Sequence, residues 1–249
     1  LSPSAENLMA PAPGSIMLTA AISMLGFAVY GFTVGFWRSP LMGLYVAVKM
    51  PLLIALSLGC NGMLNGLLGM LLGSGLGFRQ SLHALLSAFA ISGLILASVA
   101  PVTFFLAVNV PEPESAQAAT AHSSYLLIHV LLIAVAGLSG VVRLRTLLES
   151  YTSSRTIARS TLGAWIAGNA LLGMQFSWIL RPFFGSPRLE VAFLRENPMH
   201  GSFAEAVWNS LQRILGGTGF EPTLLAVVCT GIAAFVFFLI RNQNRKIKP

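Results

Sequence analysis

The chain contains no aspartate, and its eight glutamates, at positions 6, 112, 114, 149, 190, 196, 205 and 221, all fall in predicted loops or at span ends. Proton and sodium pathways through a bilayer generally rely on a carboxylate held at depth, so this distribution argues against a pump or an ion-coupled carrier. Charged residues of both signs make up only 9% of the 249 positions, where soluble domains carry about 25%. A water-soluble domain is therefore excluded. Cysteine is scarce too: Cys60 and Cys229 both fall in apolar segments and are expected to be small core residues, neither a disulfide nor a metal pair. No H-E-x-x-H, G-x-S-x-G or phosphate-binding glycine loop with its lysine and hydroxyl is present, which removes the commonest metallohydrolase, serine-hydrolase and nucleotide-binding readings.

What remains is strongly apolar. Hydrophobic residues supply 55% of the chain, with 16 Phe and 24 Gly. Mean hydropathy is +0.76. This is the composition of an all-α, polytopic transmembrane helix bundle, in which small residues let helices approach closely where lipid provides no hydrophobic drive. The net charge of +7 lies in short loops and at the C-terminus, so it is read as a topological signal and nucleic acid is not expected as a partner.

Apolar runs at residues 14–37, 42–78, 84–108, 125–142, 162–180 and 222–240 predict about six spans in a single membrane-embedded domain, 1–249. Residues 1–13 hold Glu6 and three prolines without Lys or Arg, and read as an N-terminal tail and not a signal peptide. Residues 110–124 are acidic and Pro/Ala-rich, an exposed loop. The longest extramembrane loop is 181–221. Within it Ser202 and Glu205 form a capping box, and Ala204, Val207, Trp208, Leu211, Ile214 and Leu215 recur at helical spacing. That pattern predicts a short amphipathic helix over 202–215, on the membrane surface or against the bundle.

The second stretch is unusual. Its 37 residues would extend roughly 55 Å as one helix, against a hydrocarbon core of about 30 Å, and it contains Lys49, Pro51, Asn61 and Asn65. If residues 42–77 cross twice the total becomes seven. A ladder of Gly62, Gly66, Gly69, Gly73 and Gly77 lies on one helical stripe beside the two asparagines, the pattern of a helix-packing seam. Charge then sets topology. A cytoplasmic basic tail, 241–249, puts the arginine-rich 143–159 segment and Arg79 on the same side, with the acidic 110–124 loop and the 181–221 loop opposite. The expected location is the bacterial cytoplasmic (inner) membrane, C-terminus cytoplasmic.

The runs K-M-P-L-L at 49–53 and G-M-Q-F-S-W-I-L-R-P-F-F-G-S-P at 173–187, continued by V-A-F-L-R at 191–195, resemble an uncharacterised bacterial family of polytopic membrane proteins sometimes labelled Yip-like. The resemblance covers most of the chain and implies a multi-helix membrane domain. It assigns no reaction or ligand to any residue.

Candidate functional residues are few. Lys49 is the only lysine within a predicted span, where an ionisable group marks a site by default. The bland account is snorkelling, or a bond to a carbonyl freed by Pro51; the functional one is contact with an anion or a lipid headgroup. Asn169 and Gln175 of the fifth span are the expected partners of Asn61 and Asn65, completing an intramembrane polar site with Lys49. Trp37, Arg38, Trp178, Arg181 and Trp208 are expected interface anchors, with Arg181 paired to a loop glutamate. His83 and His129 point to opposite faces, His122 lies one heptad before His129, and His200 is a loop residue, so no haem or other cofactor is expected. The leading expectation is a non-catalytic structural or assembly subunit, with other membrane subunits, further copies of itself and lipids as partners. The alternatives are a channel or facilitator using Lys49, Asn61 and Asn65, and a membrane-embedded redox or enzyme subunit.

Overall fold

The structure, a computed structural model, describes residues 12–152, 154–187 and 189–215. Among these residues every regular element is an α-helix: α1 (Pro13–Phe36), α2 (Pro40–Leu71), α3 (Phe78–Asn109), α4 (Ala118–Tyr151), α5 (Arg155–Ile179) and α6 (Phe203–Leu215). Helices α1 to α4 are each long and apolar enough to cross a membrane. Of the six spans expected from the sequence, four are therefore present as long apolar helices among the described residues. α5 has 25 residues, enough length, but Arg155, Arg159, Asn169 and Gln175 leave it less apolar than the other four. The expected sixth span, 222–240, lies outside the described residues, as do Cys229, the 241–249 tail and most of the N-terminal tail.

Local chemistry explains where the helices begin and end. The Ser39 hydroxyl accepts from Met42 N at 3.1 Å and Pro40 takes the first helical position, so α2 starts at once after the Trp37–Arg38 turn. α2 then runs unbroken through Pro51 for 32 residues, about 48 Å. One crossing therefore replaces the alternative of two. It ends in a Schellman motif: Gly73 has φ +76°, Ser74 N donates to Gly69 O at 2.9 Å and Gly73 N to Met70 O at 3.2 Å. Gly77 N in turn donates to Gln80 Oε1 at 2.7 Å where α3 begins. The five-glycine ladder is accordingly divided, with Gly62, Gly66 and Gly69 on α2 while Gly73 and Gly77 build the turn. α4 begins at Ala118, inside the expected 110–124 loop, and continues to Tyr151, where Arg145 and Glu149 pair at 2.8 Å one turn apart.

The helices alternate in direction, and contacts between their connections define one end of the bundle. Trp37 Nε1 donates to Pro111 O at 3.0 Å, Arg38 meets Glu114 at 3.5 Å and its other guanidinium nitrogen reaches Leu189 O at 3.4 Å. The connections at 37–39, 110–117 and 180–202 therefore share this end, called upper here, and those at 72–77 and 152–154 the lower. Loop charge predicted this grouping for the 110–117 and 180–202 connections, and the contacts of Trp37 and Arg38 add 37–39 to it.

Backbone proximity shapes the centre. α1 is wedged between α2 and α3, and a Cβ added at Gly26 would lie 2.5 Å from Gly93 O on α3. On its other side, a Cβ at Gly31 or Gly35 would come within 2.7 Å of Val46 O or 2.5 Å of Met42 O on α2. A Cβ at Gly140 of α4 would meet Ala88 O of α3 at 2.8 Å. Glycine at these crossings permits the contact that dispersion forces require in a lipid solvent. α6 packs on α4, burying Ile214 against Leu126 and Leu127 and leaving Trp208 exposed. The expected contact with the bundle is therefore present.

Candidate functional site

Lys49 is completely buried, about nine residues down α2 from its upper end. Its ammonium does not bond to a carbonyl freed by Pro51, nor does it snorkel. It donates to the carbonyl of Pro182 at 2.8 Å, from the connection after α5. Two aromatic faces complete the surroundings, Phe193 with its centroid at 4.9 Å and Phe183 at 5.8 Å, and Tyr45 meets Phe193 edge-on at 5.4 Å. Cation–π contacts of this kind are worth about 2 kcal/mol when desolvated, well short of the several kcal/mol that burying an ammonium costs. The R-P-F-F-G-S-P and V-A-F-L-R runs, distant from Lys49 in sequence, thus fold over it as a cap.

The cap has its own frame. Arg181 donates through its two terminal nitrogens to the carbonyls of Trp178, Pro198, Asn197 and His200 at 2.6–3.0 Å. Its guanidinium also stacks on Trp178 at 4.1 Å, and Trp178 Nε1 donates to His200 O at 2.9 Å. The expected Arg181–glutamate pair is absent among the described residues, and Arg38 holds Glu114 instead. Gly185, with φ +67°, passes so close to Arg38 that a Cβ would be 2.7 Å from its Cγ. Arg195 donates to Glu190 O at 3.1 Å and stands two residues after Phe193, the ring that faces Lys49. Burial lowers the pKa of Arg195 and Arg181, and for Arg181 the Arg195 charge adds to it.

Deeper in the bundle, α2 and α5 run antiparallel along a polar seam. Asn61 Nδ2 donates to Asn169 Oδ1 at 2.9 Å, and Asn169 Nδ2 donates back to Trp165 O at 2.8 Å. Of the two partners expected for the amides, Asn169 takes this place; Gln175 is exposed beside Met199 Sδ at 3.7 Å. One turn below Asn61, Asn65 is fully buried with neither amide atom hydrogen-bonded, and the Trp165 indole and Thr161 hydroxyl on α5 are likewise buried without partners. Gly62 and Gly66 face the other way, toward Leu82 and Phe78 of α3, and Gly69 faces Leu76 and Ser74. The seam of glycines is consumed inside the chain.

No family model, curated protein or solved structure matches the chain. Its chemistry has to be read from its own geometry.

A cavity of about 530 Å³, in the range of ligand pockets, runs beside both sites. Its wall includes Met50, Ile54, Ser92, Gly140, Asn169 and Phe183, but not Lys49, Asn61 or Asn65. The lining is overwhelmingly apolar. A third polar cluster was not foreseen from the sequence: Tyr30 Oη and His129 Nδ1 are 2.6 Å apart, Tyr125 Oη donates to Thr33 O at 2.9 Å, and the Thr33 and Thr103 hydroxyls meet at 2.7 Å. Phe184 of the cap closes over His129 with centroids 5.7 Å apart. Trp37 belongs to this cluster, buried against Tyr125 and His122, and so is a core residue. Cys60, expected in the core, is exposed on α2. Among the described residues no three His, Cys, Asp or Glu side chains converge as metal ligands. The sequence signal for the third cluster was present in the pairing of tyrosines and a histidine inside apolar spans, where each polar atom needs a partner.

Proposed function

We propose that the chain is a six-span protein of the bacterial cytoplasmic membrane, its C-terminus cytoplasmic, serving as a non-catalytic structural or assembly subunit. The observation that carries this reading is the face of α5. This helix buries only Ala158, Thr161 and Trp165, and it leaves Gly163, Ala167 and Ala170 exposed along one side. A Cβ at Gly163 would have no neighbour within 4 Å. Small residues of this kind gain little from acyl chains and much from a second helix, which their flatness lets approach closely. The occupant that suits this small-residue face is a transmembrane helix of another subunit or of a second copy.

Cysteine cross-linking tests the assignment. In a Cys60→Ser, Cys229→Ser background, Ala167→Cys treated with a short bismaleimide in native membranes should yield an adduct larger than the monomer. A protein that purifies in mild detergent as a folded monomer, with no intermolecular adduct from Ala167→Cys, would defeat the proposal. Adducts confined to the same chain, traced to a reporter cysteine placed in 222–240, would show that the chain covers this face itself.

A further inference from the structure

Among the described residues, the cap brings positive charge over Lys49 with no carboxylate paired to it. Lys49 is wholly buried, yet among the described residues its hydrogen-bond acceptor is a single neutral carbonyl, with aromatic rings beside the remaining N–H donors. Arg195 follows two residues after Phe193, whose ring lies 4.9 Å from the Lys49 ammonium; its Nη2 atom is buried with no acceptor, while Nη1 uses the Glu190 backbone carbonyl and not a carboxylate. Arg181 is near enough to Arg195 to be repelled by it. Among the described residues, none of these three cations forms an ion pair with a carboxylate; Glu114 is held by Arg38 and Glu149 by Arg145. Neither packing nor solvation favours moving a second cation toward a buried first one. A bound anion would.

We propose that Lys49 and Arg195 form the two jaws of a binding site for a phosphate-type oxyanion beneath the 181–195 cap, with Arg181 holding the cap in place. Arginine supplies a donor fork matched to phosphate oxygens and lysine a compact point charge, the usual division of labour at such sites. The frame fits that role. Arg181 fixes the cap by four carbonyls and Trp178, so the Lys49 and Arg195 donors are set before any ligand arrives. Phe183 lies between Lys49 and the apolar cavity and lines that cavity. An anionic headgroup held at the jaws would therefore have apolar space alongside, which makes a phospholipid one source of the phosphate and a soluble phosphate the other.

Two arms separate the sources. Purified full-length protein in a neutral detergent is titrated with phosphatidylglycerol, with phosphatidylcholine as control, and bound lipid is counted by native mass spectrometry. In parallel its thermal midpoint is followed with millimolar inorganic phosphate. Preferential binding of one phosphatidylglycerol, weakened at least tenfold in Arg195→Gln, supports the proposal with a lipid source; stabilisation by phosphate alone, lost in the same variant, supports it with a soluble one. Lys49→Met should lose binding in either arm, and Arg195→Gln stands as the informative variant if Lys49→Met does not fold. In anion-free protein Arg195→Gln should melt no lower than the parent, because it removes repulsion of Lys49. Equal binding by parent and Arg195→Gln, no response to either phosphate source, or a lower anion-free midpoint in Arg195→Gln would overturn the assignment; the last would make Arg195 a structural tether to Glu190.

Discussion

Replacing Gly26 by alanine tests the packing most directly. The added Cβ would sit 2.5 Å from Gly93 O, 2.6 Å from Gly93 C and 3.1 Å from Gly93 Cα. Ordinary carbon–oxygen contact is about 3.3 Å, so α1 and α3 must separate by roughly 0.8 Å. All three atoms are backbone, so no side chain can rotate away. A gap of about 0.5 to 1 Å forfeits a quarter to a half of the dispersion energy across a contact, and overpacking of cores costs about 1 to 3 kcal/mol. The upper part of that range applies, because the crossing also carries Ser23 and Phe27. Alanine recovers about 1 kcal/mol of helix propensity, leaving a net loss of about 1 to 2 kcal/mol. Gly59→Ala is the matched control, since a Cβ there meets nothing within 4 Å and the propensity gain stands alone. Reversible unfolding in mixed micelles, titrated with a denaturing detergent, should place Gly26→Ala below the parent and Gly59→Ala at or above it. If Gly26→Ala is as stable as Gly59→Ala, the close α1–α3 crossing is wrong.

The α2–α5 seam predicts opposite outcomes for neighbouring asparagines: Asn65→Leu, which removes two unbonded buried amide atoms, should be neutral or stabilising, whereas Asn61→Leu, which strands Asn169 Oδ1, should destabilise by about 1 kcal/mol, both read by the same unfolding titration. Tyr30→Phe leaves His129 buried with neither ring nitrogen bonded and should cost about 1 to 3 kcal/mol; a wild-type midpoint would count against the Tyr30–His129 contact. Gly73→Ala places a side chain at φ +76° where α2 ends, so it should lower stability by about 1 kcal/mol although no atom is within 4 Å, and Gly73→Asn should lose less.

Much of the architecture is determined by the sequence alone. Apolar runs of about 20 residues must be helical, because a backbone in hydrocarbon has to satisfy its own hydrogen bonds. Loop charge grouped the connections at 110–117 and 180–202; that 37–39 joins them came from the contacts of Trp37 and Arg38, against the bias of Arg38's own charge. Asn169 as partner of Asn61 was also legible, since two amides in apolar spans are each other's cheapest acceptors. Helical periodicity, by contrast, places residues on a stripe without saying where the helix stops, so Gly73 and Gly77 read as a continuation of the seam although the G-S-G-L-G run builds the turn. Only the tertiary structure decided which glycines matter most, because the tightness at Gly26, Gly35 and Gly140 depends on a neighbouring helix that no local pattern specifies. The same holds for Lys49. Its sequence neighbours offered Pro51 as the source of an acceptor, but the acceptor came from Pro182 and the second charge from Arg195, because a buried cation is defined by what folds over it.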